Sequence, residues 1–584
     1  MRVVETDIVI VGGGGAGLRA ALAAAETAPD LRVALLSKVY PMRSHTVAAE
    51  GGAAGVTTAE DTHEDHFRDT VAGGEWLCDQ EVVDFFVSQA TAELVQLERW
   101  GCPWSREEDG SAAVRRFGGM KTARTWFAAD KTGFHILHTL FQTSLRQETV
   151  TRFDEFFCTH LLVDDGRCHG VVALEIKTGV AWAFLAPSVI LATGGAGRVF
   201  RFNTNGGIVT GDGMALAWRE GVALRDMEFV QVHPTGLLGS GVLITEASRG
   251  EGGVLLNRDG RRYLQDYGLG PATPPGQPEN KRMELGPRDR LSQAFWHEQR
   301  AGRTVKRPLG EAVLLDLRHL GRGLLEERLP QVLALAERYA GVDPTQEAIP
   351  VRPAVHYTMG GIATDRHTAT SLPGLYAAGE CASVGLHGAN RLGSNSLTEV
   401  LVFGRVAGEQ AAAHAREIGP PDPAPLRERA AHQVAEVEGL RGARGEERVG
   451  PLRNALTALM DETFGVYRLG GEMERGLAEI RALRERAGNL GMTDPSRAFN
   501  QEILGALELS MCLDVAESIA AAALAREESR GAHQRLDDFD ARDDDRFLRH
   551  SLVTRSEGGS AEVDHAPVNI TRYEPAARHY GGEE

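Results

Sequence analysis

Two features of this 584-residue chain have the residue types and spacing to do chemistry. The first is Gly12-Gly13-Gly14-Gly15-Ala16-Gly17, a G-x-G-x-x-G pattern directly after the apolar, β-branched run Asp7-Ile8-Val9-Ile10-Val11. Between a buried strand and an alanine-rich helix expected over 18–28, Gly12 permits a tight turn and Gly14 lets a pyrophosphate approach. Gly17 lets helix pack on strand, and the amides at Gly15 and Ala16 sit at the positive end of the helix dipole. The motif predicts dinucleotide binding; alone it would be only a glycine-rich turn. The second feature is His45, about thirty residues further on, where the chain should pass over such a cofactor. A lone histidine there would ordinarily be a bland loop residue.

The elements around these residues favour flavin over nicotinamide. A second strand, Arg32-Val33-Ala34-Leu35-Leu36, ends in Ser37-Lys38, without the acidic residue that usually binds the ribose of NAD. Ser37 is left as a hydroxyl partner and Lys38 as a phosphate or adenosine neighbour. Ser188-Val189-Ile190-Leu191-Ala192-Thr193-Gly194-Gly195 is another buried strand closing in a glycine turn, and Pro373-Gly374-Leu375-Tyr376-Ala377-Ala378-Gly379-Glu380 repeats that form with an acidic end. This order resembles that of two-dinucleotide-fold flavoproteins, which implies that Glu380 contacts the cofactor. The acidic loop Thr210-Gly211-Asp212-Gly213 places Asp212 as a further neighbour on the flavin side.

Composition narrows the class. The formal net charge of −18 argues against a nucleic-acid partner, which needs a basic footprint. Six cysteines without a C-x-x-C spacing encode neither a zinc site nor an iron-sulfur cluster and fit free thiols of a reducing compartment. No run of eighteen apolar residues is present, so no transmembrane helix is expected. Cleavage of a signal segment would remove the glycine loop; a cytoplasmic chain is the expectation, with any membrane contact made through partners.

The run Met42-Arg43-Ser44-His45-Thr46-Val47-Ala48-Ala49-Glu50-Gly51-Gly52 resembles the covalent flavin attachment segment of the fumarate reductase and succinate dehydrogenase flavoprotein subunits. The resemblance continues, in order, through Phe117-Gly118-Gly119-Met120, Gln231-Val232-His233-Pro234-Thr235-Gly236, Thr245-Glu246 with Ser248-Arg249-Gly250-Glu251, and Gly286-Pro287-Arg288-Asp289. It runs on through His356-Tyr357-Thr358-Met359-Gly360-Gly361, His387-Gly388-Ala389-Asn390-Arg391-Leu392-Gly393-Ser394-Asn395-Ser396-Leu397, and Arg526-Glu527-Glu528-Ser529-Arg530-Gly531-Ala532-His533. It implies an FAD joined to His45 by an 8α-histidyl bond, with Ser44, Thr46, Glu50, Gly51, Gly52, Ser396 and Leu397 also against the cofactor.

For the substrate, fumarate or succinate, the resemblance implies that His356 and Arg391 hold one carboxylate while Thr245 and His233 hold and twist the other. Arg288 would deliver the proton, with Glu246 and Arg249 as the relay behind it and Arg249 as the alternative donor. Arginine suits both ends of a dianion because its planar fork binds a carboxylate bidentately. Each residue alone has a bland reading: a histidine before proline is usually structural, and an arginine in G-P-R-D is usually solvated.

The expected fold is α/β: a two-dinucleotide-fold FAD-binding domain (1–236 and 353–420) interrupted by an α+β capping domain (237–352), then a helical bundle domain (421–545) and a small C-terminal segment (546–584). The Pro-rich stretch Gly270-Pro271-Ala272-Thr273-Pro274-Pro275-Gly276 is expected to be a surface loop of the cap. Lacking iron-sulfur and haem motifs, the chain is expected to exchange electrons through an iron-sulfur subunit and quinone-binding membrane anchor subunits at the cytoplasmic face of the membrane. Glu50, where succinate dehydrogenases usually carry glutamine, the short loop from Gly118 to Trp126 and the Gly286–Asp289 stretch favour quinol:fumarate reductase. Succinate dehydrogenase is the first alternative and L-aspartate oxidase, which lacks the covalent histidine, the next. A vestigial flavin-bearing assembly subunit and a plain nicotinamide dehydrogenase are further rivals, disfavoured by the complete polar set and by the missing ribose carboxylate.

Overall fold

The computed structural model describes all residues except 272, 275, 279–282 and 577–584. Its centre is a five-stranded, all-parallel sheet ordered Leu375–Ala377, Ser188–Leu191, Ile8–Val11, Val33–Ser37, Val150–Asp154. The three middle strands are buried along their whole length, as a parallel sheet covered on both faces requires. The helix after the first strand spans Gly15–Thr27, three residues earlier than expected, because the second half of the glycine loop is itself its first turn. A β-carbon on Gly17 would lie 1.8 Å from the Gly12 carbonyl oxygen, and one on Gly12 would lie 2.0 Å from that of Ala192. Only glycine lets the turn close this tightly.

A long helix, Asn395–Ile418, lies against Gly15–Thr27, and its Gly404 and Gly408 let the two backbones approach at Ala16 and Ala20. Its N-terminus therefore opens beside that of the first helix. A meander of Phe156–Asp164, Arg167–Glu175 and Val180–Leu185 forms a second sheet, completed by an edge strand, Arg2–Glu5. That strand precedes the expected first strand and has no buried residue, so it carries no apolar signature to read.

The cap is a sheet of Val230–Leu237, Ile349–Thr358, Gly310–Asp316 and Val254–Leu256, with helices Arg288–Arg300 and Pro330–Ala340. The expected boundaries at 236/237 and 352/353 fall inside Val230–Leu237 and Ile349–Thr358, which pair antiparallel with each other. These two strands form one ribbon joining cap and FAD domain, and irregularities between Gln231 and Val232 and between His233 and Gly236 bend it where its side chains reach the site. In the proline-rich loop of the cap, Ala272 and Pro275 lie outside the described residues.

The helical region differs from the expected single bundle. Helix Pro423–Arg441 packs through Leu426 and Ala430 onto Leu162, Val172, Ala183 and Leu185 of the meander. The bundle proper is Val449–Thr463, Gly470–Ala487 and Gln501–Ala525. The last of these is buried on nearly every side because it packs on the bundle and on the FAD domain together. Near the C-terminus Arg549–Arg555 and Ala561–Pro567 form a hairpin that extends the strands Leu224–Arg225, Gly361–Ala363 and Ala382–Ser383.

This C-terminal hairpin is held by buried charge. Arg526 pairs with Glu228 at 2.5 Å and Glu528 at 2.8 Å, all three fully buried. His550 lies 2.6 Å from Asp226 and 3.3 Å from Asp79. Burial opposes its charge, but the two carboxylates outweigh it and raise the imidazole pKa to about 9. A folded-state pKa above the unfolded value of about 6.5 means stabilisation fully present below that pH and lost as pH rises through about 9, on the order of 3 kcal/mol. Melting temperature measured across this window should therefore fall more steeply for the wild type than for His550→Gln; parallel curves would remove His550 as the cause.

All six cysteines are buried free thiols. Among the described residues no helix is long and apolar enough to cross a membrane, and no cluster of three or more His, Cys, Asp or Glu is placed to hold a metal.

Candidate active site

One continuous cavity runs from the glycine loop to the ribbon that joins the cap. Gly12, Gly14, Gly15 and Ala16 line one end with Ser37, Lys38 and Asp212; Ser44, His45, Thr46, Glu50, Gly51 and Gly52 line the middle. His233, Thr245, Glu246, Arg288, His356 and Arg391 close the other end, with Glu380, Ser396 and Leu397 along the wall. Of the residues singled out from the sequence only Gly17 and Arg249 are off its surface. Gly17 packs helix against strand, and Arg249 is buried behind Glu246, 3.7 Å from its carboxylate.

The residues of the cavity fit a dinucleotide with a flavin head. Neither helix N-terminus opening on it, at Gly15 or at Asn395, has a side-chain cap or an acidic residue in its first turn. Both therefore leave amides and positive dipole ends for an anionic or carbonyl group. The segment around His45 is tied to the loop: Ser44 Oγ donates to the Gly13 carbonyl at 3.0 Å, and Thr46 Oγ1 accepts from the Gly15 amide at 3.1 Å. The Gly206 amide donates to His45 Nδ1 at 3.3 Å, so a neutral ring carries its proton on Nε2. Burial lowers the His45 pKa to about 4, which keeps the ring neutral.

Two carboxyls flank the cavity in unusual states. Burial pushes Glu50 up to about 8 against the hydrogen bond from Gln331 Nε2 at 3.0 Å, and its Oε2 has no partner. Burial likewise raises Glu380 to about 7 although it accepts the Thr358 amide at 3.0 Å. Lys38 does not offer a free ammonium to a phosphate. Its Nζ is held by Asp212 at 2.9 Å and by Glu508 of the bundle at 2.6 Å; burial opposes the charge, but the two carboxylates raise its pKa. Lys38 lines the cavity, as a neighbour of a phosphate or adenosine would, with its ammonium charge balanced by Asp212 and Glu508.

At the far end four cationic or imidazole groups converge. Arg288 donates through Nη1 to Gln231 Oε1 at 3.0 Å, and Arg391 donates through Nη2 to the same oxygen at 3.0 Å. Arg288 Nε and Nη2 reach Glu246 Oε2 at 3.0 and 2.9 Å, and Glu246 Oε1 accepts the Gly118 amide at 2.7 Å. Burial alone would raise Glu246, yet Arg288 and Arg249 hold it below the ordinary carboxylate value. Burial lowers Arg391 to about 10 and the neighbouring Arg288 adds to this. His233 and His356 lie 5.1 Å apart between ring centres. Burial, followed by Arg288, holds both well below the usual imidazole value. The Thr235 amide donates to His233 Nδ1 at 3.3 Å, so neutral His233 keeps Nε2–H as its free donor. The result is a small, buried, cationic and hydrogen-bonding pocket continuous with a dinucleotide cavity.

The FAD binding domain profile matches residues 7–397, and the fumarate reductase flavoprotein C-term profile matches residues 453–580. The fumarate reductase flavoprotein subunit of Proteus vulgaris is 58% identical over 584 residues, covering 100% of this chain and 98% of the relative. This chain belongs to the fumarate reductase flavoprotein family. A solved Escherichia coli quinol fumarate reductase flavoprotein variant superposes with a TM-score of 0.97 at 56% identity, covering 100% of both chains. The succinate dehydrogenase flavoprotein subunit of Rickettsia felis is more distant, at 40% identity over 97% of this chain and 95% of the relative.

As a fumarate reductase flavoprotein the chain is an FAD-dependent oxidoreductase acting on CH–CH donors. Sequence reasoning missed four of its polar residues at the site. Gln231 bridges the two arginines, Thr204 Oγ1 pairs with His356 Nδ1 at 2.9 Å, Gln331 holds Glu50, and Tyr357 lies under Arg391. Gln231 and Tyr357 stand inside the quoted motifs, each one or two residues from a histidine. Strand alternation would place Gln231 on the side of His233 but turn Tyr357 away from His356, so the place of Tyr357 under Arg391 had no local signal.

Proposed function

We propose that this chain is the flavoprotein subunit of a quinol:fumarate reductase, with FAD bound covalently at His45 through the Nε2 that the Gly206 contact leaves free. The observation that carries the reading is the convergence of Arg288 and Arg391 on one glutamine oxygen beside His233, Thr245 and His356, at the inner end of a dinucleotide cavity. When bound, the flavin supplies or accepts the hydride.

Arg391 and His356 take one carboxylate of fumarate, and His233 Nε2–H with Thr245 takes the other. Holding the two ends from separate pieces of chain lets binding energy twist one carboxylate out of conjugation and polarise the double bond. Arg288 gives its proton to the olefinic carbon that does not receive hydride. A guanidinium is ordinarily never deprotonated; Glu246, bonded to two of its nitrogens and backed by Arg249, is the relay that returns the proton. Cap and FAD domain must meet for this set to assemble, because Glu246, Arg249 and Arg288 come from the cap and Arg391 does not.

The chain's higher identity to fumarate reductase than to succinate dehydrogenase relatives supports the reductase direction. The Escherichia coli structure is of a quinol fumarate reductase, which supports a multi-subunit enzyme here. The partners are an iron-sulfur subunit and quinone-binding membrane anchors, with this chain peripheral on the cytoplasmic face. Steady-state assay of the FAD-loaded protein should show oxidation of a reduced viologen dye that depends on fumarate. Peroxide formation driven by L-aspartate, with fumarate inert, would reassign the chain to L-aspartate oxidase.

A further inference from the structure

Behind Arg391 lies a buried group of side chains, of which Tyr357 alone also lines the cavity. Tyr357 Oη donates to Glu399 Oε2 at 2.5 Å, and His387 Nε2 meets the same oxygen at 2.9 Å. The Arg391 guanidinium carbon sits 4.3 Å from the centre of the Tyr357 ring. Tyr357, His387, Arg391 and Glu399 each expose 7% of their surface or less. They come from three separate pieces of chain: the strand that carries His356, the loop that carries Arg391, and the first turns of helix Asn395–Ile418.

This arrangement solves a specific problem. Arg391 must be fixed in direction, yet its charge and free N–H groups must be kept for a carboxylate. A carboxylate bonded directly to it would fix it and cancel it together. Among the described residues no acidic side chain bonds Arg391; its guanidinium donates to Gln231, Ser396 and the Leu392 carbonyl, and its Nε, buried, has no partner there. The ring face instead holds the cation electrostatically, a contact worth most where water is excluded. The hydroxyl bond to Glu399 fixes the ring's orientation and adds electron density to it.

We infer that Glu399 and Tyr357 are a positioning pair that sets the carboxylate affinity of Arg391 from behind, through the aromatic face, and keeps the His356 strand in register with the Arg391 loop. The inference rests on the reading of Arg391 and His356 as carboxylate ligands.

The test is a double-mutant cycle on the FAD-loaded enzyme with Tyr357→Phe and Glu399→Gln, reading KM and kcat for fumarate and the succinate-induced change in the flavin spectrum. Each single variant should raise KM about tenfold with a much smaller change in kcat. The double variant should be no worse than the more severe single one, because both cut the same link. Tyr357→Leu, which also removes the ring face, should raise KM further than Tyr357→Phe.

Unchanged KM in folded, FAD-retaining single variants overturns the inference, as does strict additivity. A loss confined to melting temperature or FAD content, with KM intact, makes the group structural only. Arg391→Gln separates the two readings. If it leaves KM unchanged, the underlying assignment of the pocket fails; if it abolishes turnover while the Tyr357 and Glu399 variants behave as wild type, only the positioning role fails.

Discussion

Arg288→Gln should lower both fumarate reduction and succinate oxidation by a factor on the order of 10³ to 10⁴ while FAD stays bound, the range expected for loss of a positioned general acid with its electrostatic support. The expectation comes from the two side chains Arg288 engages. It donates to Gln231 and twice to Glu246, and both partners are otherwise committed, Gln231 to Arg391 and Glu246 to the Gly118 amide. Glutamine removes the proton to be donated and leaves Glu246 without its nearest counter-charge, with only Arg249 at 3.7 Å. Both directions must suffer because one transition state serves both. Because Arg288 lies at the far end of the cavity from the glycine loop, flavin absorbance per chain should be unchanged. A variant that keeps more than about a tenth of wild-type turnover would move the proton to another donor, and Arg249→Gln would then be the variant to make.

His45→Ser should keep FAD and retain fumarate reduction at a reduced rate while losing succinate oxidation. The cofactor is retained because the two uncapped helix N-termini and the Ser44 and Thr46 contacts do not depend on the imidazole. The directional effect follows from the potential. A covalent link at the ring raises it, and for a two-electron couple each ~30 mV lost shifts the balance about tenfold against reduced flavin. Succinate oxidation, which must reduce the flavin, is lost first. Acid-precipitated wild-type subunit should fluoresce on a gel at its own mass and the variant should not. Undiminished succinate oxidation by the variant would contradict the account of the link.

The sequence pointed to the residues that line the cavity more directly than to the packing of the elements around them. The glycine loop was legible because its chemistry is local: a few residues fix turn, close approach and helix packing at once. Arg288, Arg391, His233 and His356 were legible only through motif resemblance, since nothing in a G-P-R-D or H-P-T stretch shows that the two arginines will meet on the same oxygen. Their meeting depends on the bent ribbon of Val230–Leu237 and Ile349–Thr358, a pairing across more than a hundred residues.

The partners of Lys38 were hidden for the same reason. Its decisive partner, Glu508, is supplied by a helix in another domain, and a lysine at a strand end looks identical whether its ammonium is free or paired. Helix Pro423–Arg441 has a polar outer face and only four buried residues, so its pattern shows a helix but not which surface it covers. The edge strand Arg2–Glu5 and the C-terminal hairpin gain their strand character from neighbours rather than from their own alternation.

The central claim is that the cavity brings a dicarboxylate against a flavin and passes hydride between them. The most direct test is a single turnover: FAD-loaded protein, reduced without oxygen and mixed with one equivalent of fumarate. The account predicts return of the oxidised flavin spectrum with one succinate formed per flavin. Flavin that stays reduced in the presence of fumarate, in protein whose FAD content is full, would contradict it.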